Sequence, residues 1–194
     1  MIRLHKREIA LAIQELNLFF ERKIFSSVLF KIQTGILKAN AEEKDGKFPF
    51  FTCNENPKRI NTHAFDSEAI LIAGNGNFGH INYYKGKFNA YQWTYVLTRK
   101  TDLINMKYAK YFFEAFFKES IKDVIVGGVI PFIKLSNIQN FKITYFNPII
   151  QNCLINLLDK FDDYTKQVTG LLPKDIELRE TQYQYYLKKL LEFN

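Results

Sequence analysis

The sequence changes character at Asn147-Pro148. Asn is a helix-capping residue and Pro suits the first helical position. After them Ile150, Leu154, Leu157, Leu158, Phe161 and Tyr164 recur at helical spacing. Gly170 breaks the run, and Pro173 starts a second helix with Ile176, Tyr183, Leu187 and Leu190 on one face. That spacing is close to a heptad seam. At about 1.5 Å per residue, residues 173–194 make a rod of about 33 Å. Two such helices at the end of a chain require a partner, or each other, to cover their apolar faces. The sequence therefore predicts a helical segment over residues 148–194, joined to a body of different construction.

Net charge separates the same two parts. Residues 1–147 hold 21 Lys and Arg against 13 Asp and Glu, whereas residues 148–194 hold 6 against 7. The excess positive charge thus belongs to the body. A basic body attracts polyanions such as the phosphate backbone of nucleic acid. A merely soluble basic protein accounts for the charge equally well.

Within the body, Ile9, Ile13, Leu16 and Phe20 predict an amphipathic helix over residues 1–21. Residues 25–33 read as β-like and end at Thr34-Gly35. Residues 36–47 read as an exposed loop, residues 48–53 as a short apolar strand or bend, and residues 54–62 as a second polar loop. Ala69-Ile70-Leu71-Ile72-Ala73 reads as a buried strand, and residues 74–79 as a glycine turn. His80-Ile81-Asn82-Tyr83-Tyr84 is a strand, Lys85-Gly86-Lys87 a turn, and residues 88–98 strand again. Residues 105–120 are helical, with Tyr108, Tyr111, Phe112, Ala115 and Phe116 as the apolar stripe. Residues 124–131 form an apolar loop or strand, and residues 141–146 a strand. The expectation is an α/β (α+β) fold of mixed, twisted β-structure with flanking helices.

Catalytic signals are sparse. Gly74-x-Gly76-x-x-Gly79 matches the dinucleotide fingerprint literally and follows a strand, but the fingerprint requires a helix next. The segment that follows is β-like, so a glycine-rich turn is the better reading. Such a turn also lets DNA approach the backbone closely. His5, His63 and His80 lack metal-ligand spacing, and the serines lack a nucleophile-elbow context. Cys53 as a nucleophile would require His63, which nothing in the sequence places beside it. Asp162-Asp163, beside Lys160 and Lys166, reads as a solvated helical face. Cys53 and Cys153 read as free thiols in a reducing cytoplasm. There is no secretory leader pattern, and no apolar run approaches the ~20 residues of a membrane helix.

The loops carry more. Lys44, Lys47, Lys58, Arg59, Lys85 and Lys87 are interleaved with Asn54, Asn75, Asn77, His80, Gln92 and Trp93. Lys and Arg contact phosphates, and Asn, Gln and Arg bond base edges. On composition alone an ordinary wet surface explains these residues more readily.

Longer stretches resemble a known family. Gly170-Leu171-Leu172-Pro173, then Gln182-Tyr183-Gln184-Tyr185-Tyr186 and Lys189-Leu190-Leu191-Glu192-Phe193, resemble the helical region of type I restriction-modification specificity (S) subunits. Leu158-Asp159-Lys160-Phe161-Asp162 and Gln151 match the preceding helix. The body resembles the family's target recognition domain through Ile32-Gln33-Thr34-Gly35 and Gly46-Lys47-Phe48-Pro49-Phe50-Phe51. Further matches are Phe65-Asp66, Glu68-Ala69-Ile70-Leu71-Ile72, Tyr84-Lys85-Gly86-Lys87-Phe88-Asn89-Ala90, Ile130-Pro131 and Leu135-Ser136-Asn137-Ile138. The resemblance covers about residues 22–194 in the family's order. Arg179-Glu180-Thr181 replaces a more basic stretch, Leu187 stands where Arg is usual, and Phe146-Asn147-Pro148 replaces a Pro-rich helix start.

The resemblance implies a non-catalytic DNA-recognition protein with a recognition domain over residues 22–147 and a spacer and dimerisation region over 148–194. It implies that the helices pair as an antiparallel coiled coil, with Leu154, Leu158, Phe161, Ile176, Tyr183, Tyr186, Leu187 and Leu190 at the pairing surface. The implied partners are double-stranded DNA, methyltransferase (M) subunits and, through the complex, restriction (R) subunits. S-adenosylmethionine and ATP would belong to those partners, so this chain needs no cofactor or metal. One recognition domain with one set of helices looks like half a subunit, acting as a homodimer or paired with another half, and equally like a fragment or a shortened gene product. The competing expectation is a helical interaction or decoy protein that binds no DNA.

Overall fold

The computed structural model describes residues 23–122, 132–168 and 173–191, without the side chains of 165–168 and 173–178. The expected helix over residues 1–21, the apolar stretch 124–131 and the Ile176 side chain lie outside the described residues. The elements run β1 (Lys23–Phe25), α1 (Ser26–Leu29), β2 (Phe30–Thr34), β3 (Phe48–Phe51), β4 (Lys58–Ile60), β5 (Phe65–Ala73), β6 (Ile81–Ala90) and β7 (Thr94–Arg99). They continue with α2 (Met106–Ser120), α3 (Leu135–Gln139), β8 (Lys142–Thr144), α4 (Pro148–Val168) and α5 (Pro173–Leu191). The chain divides into two compact units. One is residues 25–141, and the other, among the described residues, is 23–24 with 142–191.

The first unit is a six-stranded sheet of order β2-β7-β5-β6-β3-β4. All pairings are antiparallel except β3 with β6. The run from Ala69 to Ala73 is buried throughout, as its unbroken apolar character predicts. Strand alternation divides it between two faces. Ala69 and Leu71 join Phe51, Phe88, Ala90 and Val96 in one core cluster, with Phe65 and Tyr84 packed against it. α2 packs on β5 and β6. Each fully buried large apolar side chain contributes about 1.5–3 kcal/mol.

The sheet is curled. Gly35, just beyond β2, lies against the backbone of Ala90 at the end of β6, although β7 and β5 separate those strands in the sheet. Gly35 N–H donates to Thr94 O at 3.3 Å, and Thr94 Oγ1 donates to Phe51 O at 3.2 Å.

Three expectations are corrected. Residues 25–33 are not one strand, because α1 interrupts them. Ser26 N–H donates to Phe141 O, and its hydroxyl donates to Ile138 O. These bonds draw the backbone out of the extended ladder. Lys85-Gly86-Lys87 is not a turn: β6 passes straight through it, with Ser67 opposite Gly86 and the real turn at Tyr91-Gln92-Trp93. Residues 54–62 are not all loop, since β4 lies within them. α2 is also apolar over more of its circumference than its expected stripe. Phe113 and Phe117 are fully buried, and both rings meet Phe141, at 4.8 and 5.3 Å.

The second unit has a short β1–β8 pair and two long helices. Asn147 caps α4 as expected: its Oδ1 accepts from Ile149 N–H at 2.8 Å. α4 and α5 pack on each other. The Phe161 and Tyr186 rings stack at 6.0 Å with 9° between their planes, and Tyr164 shares a groove with Gln182 and Tyr183. Rising numbers on α4 meet falling numbers on α5, so the helices are antiparallel. Leu154, Leu158 and Leu187 are buried, while Tyr183 and Leu190 are half-buried. Leu157 and Tyr164, read as part of the same apolar stripe, instead lie 39% and 62% exposed.

Candidate nucleic-acid interface

The twelve residues singled out in the loops separate into three groups, and the first converges. Trp93 O is the junction. It accepts from Gly74 N–H at 2.8 Å and from the Cys53 thiol at 3.7 Å. A Cβ on Gly76 would stand 3.5 Å from Cys53 Cβ. The loop after β3, the glycine turn after β5 and the turn before β7 therefore meet at one place. They carry Asn54, Asn75, Asn77, His80, Gln92 and Trp93. Asn54, Asn77, Gln92 and Trp93 are exposed and Asn75 is half-buried. His80 turns inward, with its Nε2 covered and, among the described residues, without a hydrogen-bond partner.

The glycine turn owes its shape to Gly76 and Gly79, with φ of 62° and 75°. That left-handed backbone favours glycine. β6 follows it, so no helix N-terminus is present to hold a pyrophosphate, and the dinucleotide motif is a coincidence of spacing. Phe132 and Lys134 adjoin this cluster, and neither was found from sequence. Ile133 N–H donates to Gly74 O at 2.8 Å, and the Phe132 ring meets Trp93 edge-on at 6.2 Å. An isolated Phe beside a proline gives no periodic signal.

The second group is Lys44, Lys47, Lys58 and Arg59, around the β3–β4 hairpin. Arg59 Nε donates to Gly46 O at 2.9 Å and Nη2 to Lys47 O at 3.0 Å. Lys58 pairs with Glu42, and Glu43 accepts from Asn61. Two of the four cations thus hold the hairpin together, while Lys44 and Lys47 are exposed. Arg59→Ala is expected to lower stability by about 1–2 kcal/mol through the lost charged-donor bonds. Urea unfolding measures this, and an unchanged midpoint would show that the clamp contributes nothing.

The third group is Lys85 and Lys87. They stand in β6 opposite Glu68 and Asp66. Opposite charges so placed stabilise a sheet, so these lysines serve the β5–β6 ladder whatever else they touch.

Among the described residues no group of His, Cys, Asp or Glu could hold a metal ion. Cys53 is buried and its thiol bonds Trp93 O, whereas the His63 ring lies over Phe48 at 4.8 Å. No described helix is long and apolar enough to cross a membrane.

Residues 26–178 match the family described as type I restriction modification DNA specificity domain. The chain is 40% identical over 131 residues to the type I restriction enzyme EcoDI specificity subunit of Escherichia coli, a match covering 68% of this chain and 29% of that protein. It is 28% identical over 155 residues to the MpnII specificity subunit of Mycoplasma pneumoniae, covering 78% and 46%. The chain therefore spans less than half the length of these relatives. Among solved structures, the S subunit of a type I restriction-modification system from M. genitalium superposes with a TM-score of 0.64 at 21% identity, over 82% of this chain and 44% of that one. The HsdS subunit of Thermoanaerobacter tengcongensis gives 0.59 at 14% identity, over 98% and 54%. These structures share the mixed fold.

Proposed function

Because this chain belongs to the type I restriction modification DNA specificity domain family, we propose that it reads a short duplex DNA sequence and positions partner subunits over it without performing chemistry itself. The observation that carries this reading is the convergence of three amide-bearing loops on Trp93 O, in a unit with a surplus of Lys and Arg. Amide side chains at one surface suit base edges in the major groove, and the glycine turn lets the duplex come close. Asn54, Asn77 and Gln92 are the proposed base readers. Lys44 and Lys47 are the proposed phosphate contacts, and Lys85 and Lys87 join them only as far as the strand allows.

The paired helices are the proposed seat for methyltransferase subunits and, through them, restriction subunits. S-adenosylmethionine and ATP would be held by those subunits. A split target needs two recognition units, so this one would act beside a second, carried by another copy, another half or another part of a longer chain.

The test is to map methylated sequences in cells that carry this gene with its methyltransferase partner, in wild-type form and with Asn77→Ala or Gln92→Ala. Each variant is expected to relax one target position, at a cost of about 1–3 kcal/mol in discrimination. A symmetric split target supports a homodimer, and an asymmetric one supports a fragment of a longer protein or pairing with a different half. A methylation pattern indifferent to the presence of this chain would overturn the reading.

A further inference from the structure

We propose that Trp93 and Phe132 form an apolar base-contacting element of the DNA interface, touching the methyl group of thymine in the major groove; this rests on the DNA-recognition reading above. Both side chains are displayed to solvent, 39% and 47% exposed, in an edge-on pair. Their backbones are fixed. Trp93 O takes the two donors from Gly74 and Cys53, and Thr94 N–H donates to Tyr91 O at 2.8 Å beneath the same turn. Ile133, next to Phe132, is held at both polar atoms: its N–H reaches Gly74 O, and its O accepts from Tyr95 Oη at 2.7 Å. Rigid backbone under two solvent-facing aromatic rings is the construction of a preorganised contact.

The surroundings point to DNA as the occupant. Asn54, Asn77 and Gln92 are exposed on the loops that converge at Trp93 O. Lys134 is exposed two residues beyond Phe132, and the Lys118 stem lies 3.8 Å from where a Gly79 Cβ would be. Glu55 is the carboxylate of the Asn54 loop. Residues 25–141 as a whole carry 15 Lys and Arg against 10 Asp and Glu. A unit with a surplus of Lys and Arg and exposed amides on its converging loops complements a polyanion with polar base edges. The apolar group that a major groove offers among those edges is the thymine methyl.

Trp93 is the single tryptophan of the chain, so its emission reports this contact alone. The full chain is titrated at low salt with labelled duplexes of random sequence, following DNA anisotropy and tryptophan emission together. Duplexes retained from the pool are then remade with uracil for thymine. The expected result is quenching of Trp93 and loss of acrylamide access with the same midpoint as DNA binding. Uracil is expected to weaken binding by about fourfold, the value of one buried methyl group. Phe132→Leu and Trp93→Ala should each weaken binding to thymine duplexes and remove that sensitivity, with near-unchanged unfolding midpoints for Phe132→Leu. Binding with unchanged Trp93 emission, or uracil sensitivity retained in both variants, overturns the proposal while leaving DNA recognition standing, and would assign the pair to a protein partner. Failure of the folded chain to bind any duplex overturns both.

Discussion

Gly35→Ala is expected to cost at least about 3 kcal/mol and to lower the urea midpoint accordingly. A Cβ at Gly35 would lie 1.9 Å from Ala90 O, 2.2 Å from Ala90 C and 2.7 Å from Tyr91 O. These are backbone atoms, so no rotamer change relieves the overlap. Either the end of β2 or the end of β6 must move, and both are held: β2 by its ladder with β7, and Ala90 by its place beside Phe51. The variant therefore opens the curl of the sheet where the Tyr91-Gln92-Trp93 turn begins. Loss of stability should be accompanied by a red-shifted Trp93 emission. A stability change under about 1 kcal/mol would show that the curl yields easily, and that the convergence of loops on Trp93 does not depend on it.

That close approach explains which parts of the fold were legible in the sequence. The buried strand from Ala69 to Ala73, the helix at 106–120 and the Asn147-Pro148 start were legible because each is a local pattern with one strong solution. The closure at Gly35 was not, since it joins residues 55 positions apart and leaves only a glycine as its trace. Lys85-Gly86-Lys87 misled for a related reason. Charged residues around a glycine favour a turn locally, but eight consecutive partners on β5, from Phe65 to Ile72, hold it extended. Tertiary pairing outweighed local preference.

The candidate site shows the same division. Asn54, Asn77, Gln92 and Trp93 were singled out from loop chemistry, and the fold brings their loops together. The residue type of Arg59 suits a phosphate contact, but the two carbonyls that it binds lie 12 and 13 positions away across a hairpin. Composition counts cations without showing which are already occupied. Phe132 carries no local signal, because its partner Trp93 lies 39 positions earlier. The family resemblance supplied the fold and the order of the parts, whereas the disposition of individual side chains required the structure.

Leu158→Ala and Leu187→Ala are each expected to destabilise the helix pair by about 2–5 kcal/mol. Both side chains are fully buried. Truncation removes the apolar transfer energy and leaves a cavity that two long helices close only partly. Leu187 is the more informative position, because the resembled family usually has Arg there. It is fully buried in this chain, so Leu187→Arg should cost at least as much as Leu187→Ala by placing a charge where there is no water. By contrast, Tyr185→Ala should leave the unfolding midpoint nearly unchanged, since Tyr185 is 53% exposed. Helical ellipticity during thermal unfolding measures these midpoints, and copurification with the proposed methyltransferase partner measures the use of the outer face. If the proposed seat lies on the outer face of the pair, Tyr185→Ala weakens copurification of a stable chain. If Leu187→Arg is as stable as wild type, the helices do not depend on each other through this seam, and the pairing surface must be sought between separate chains.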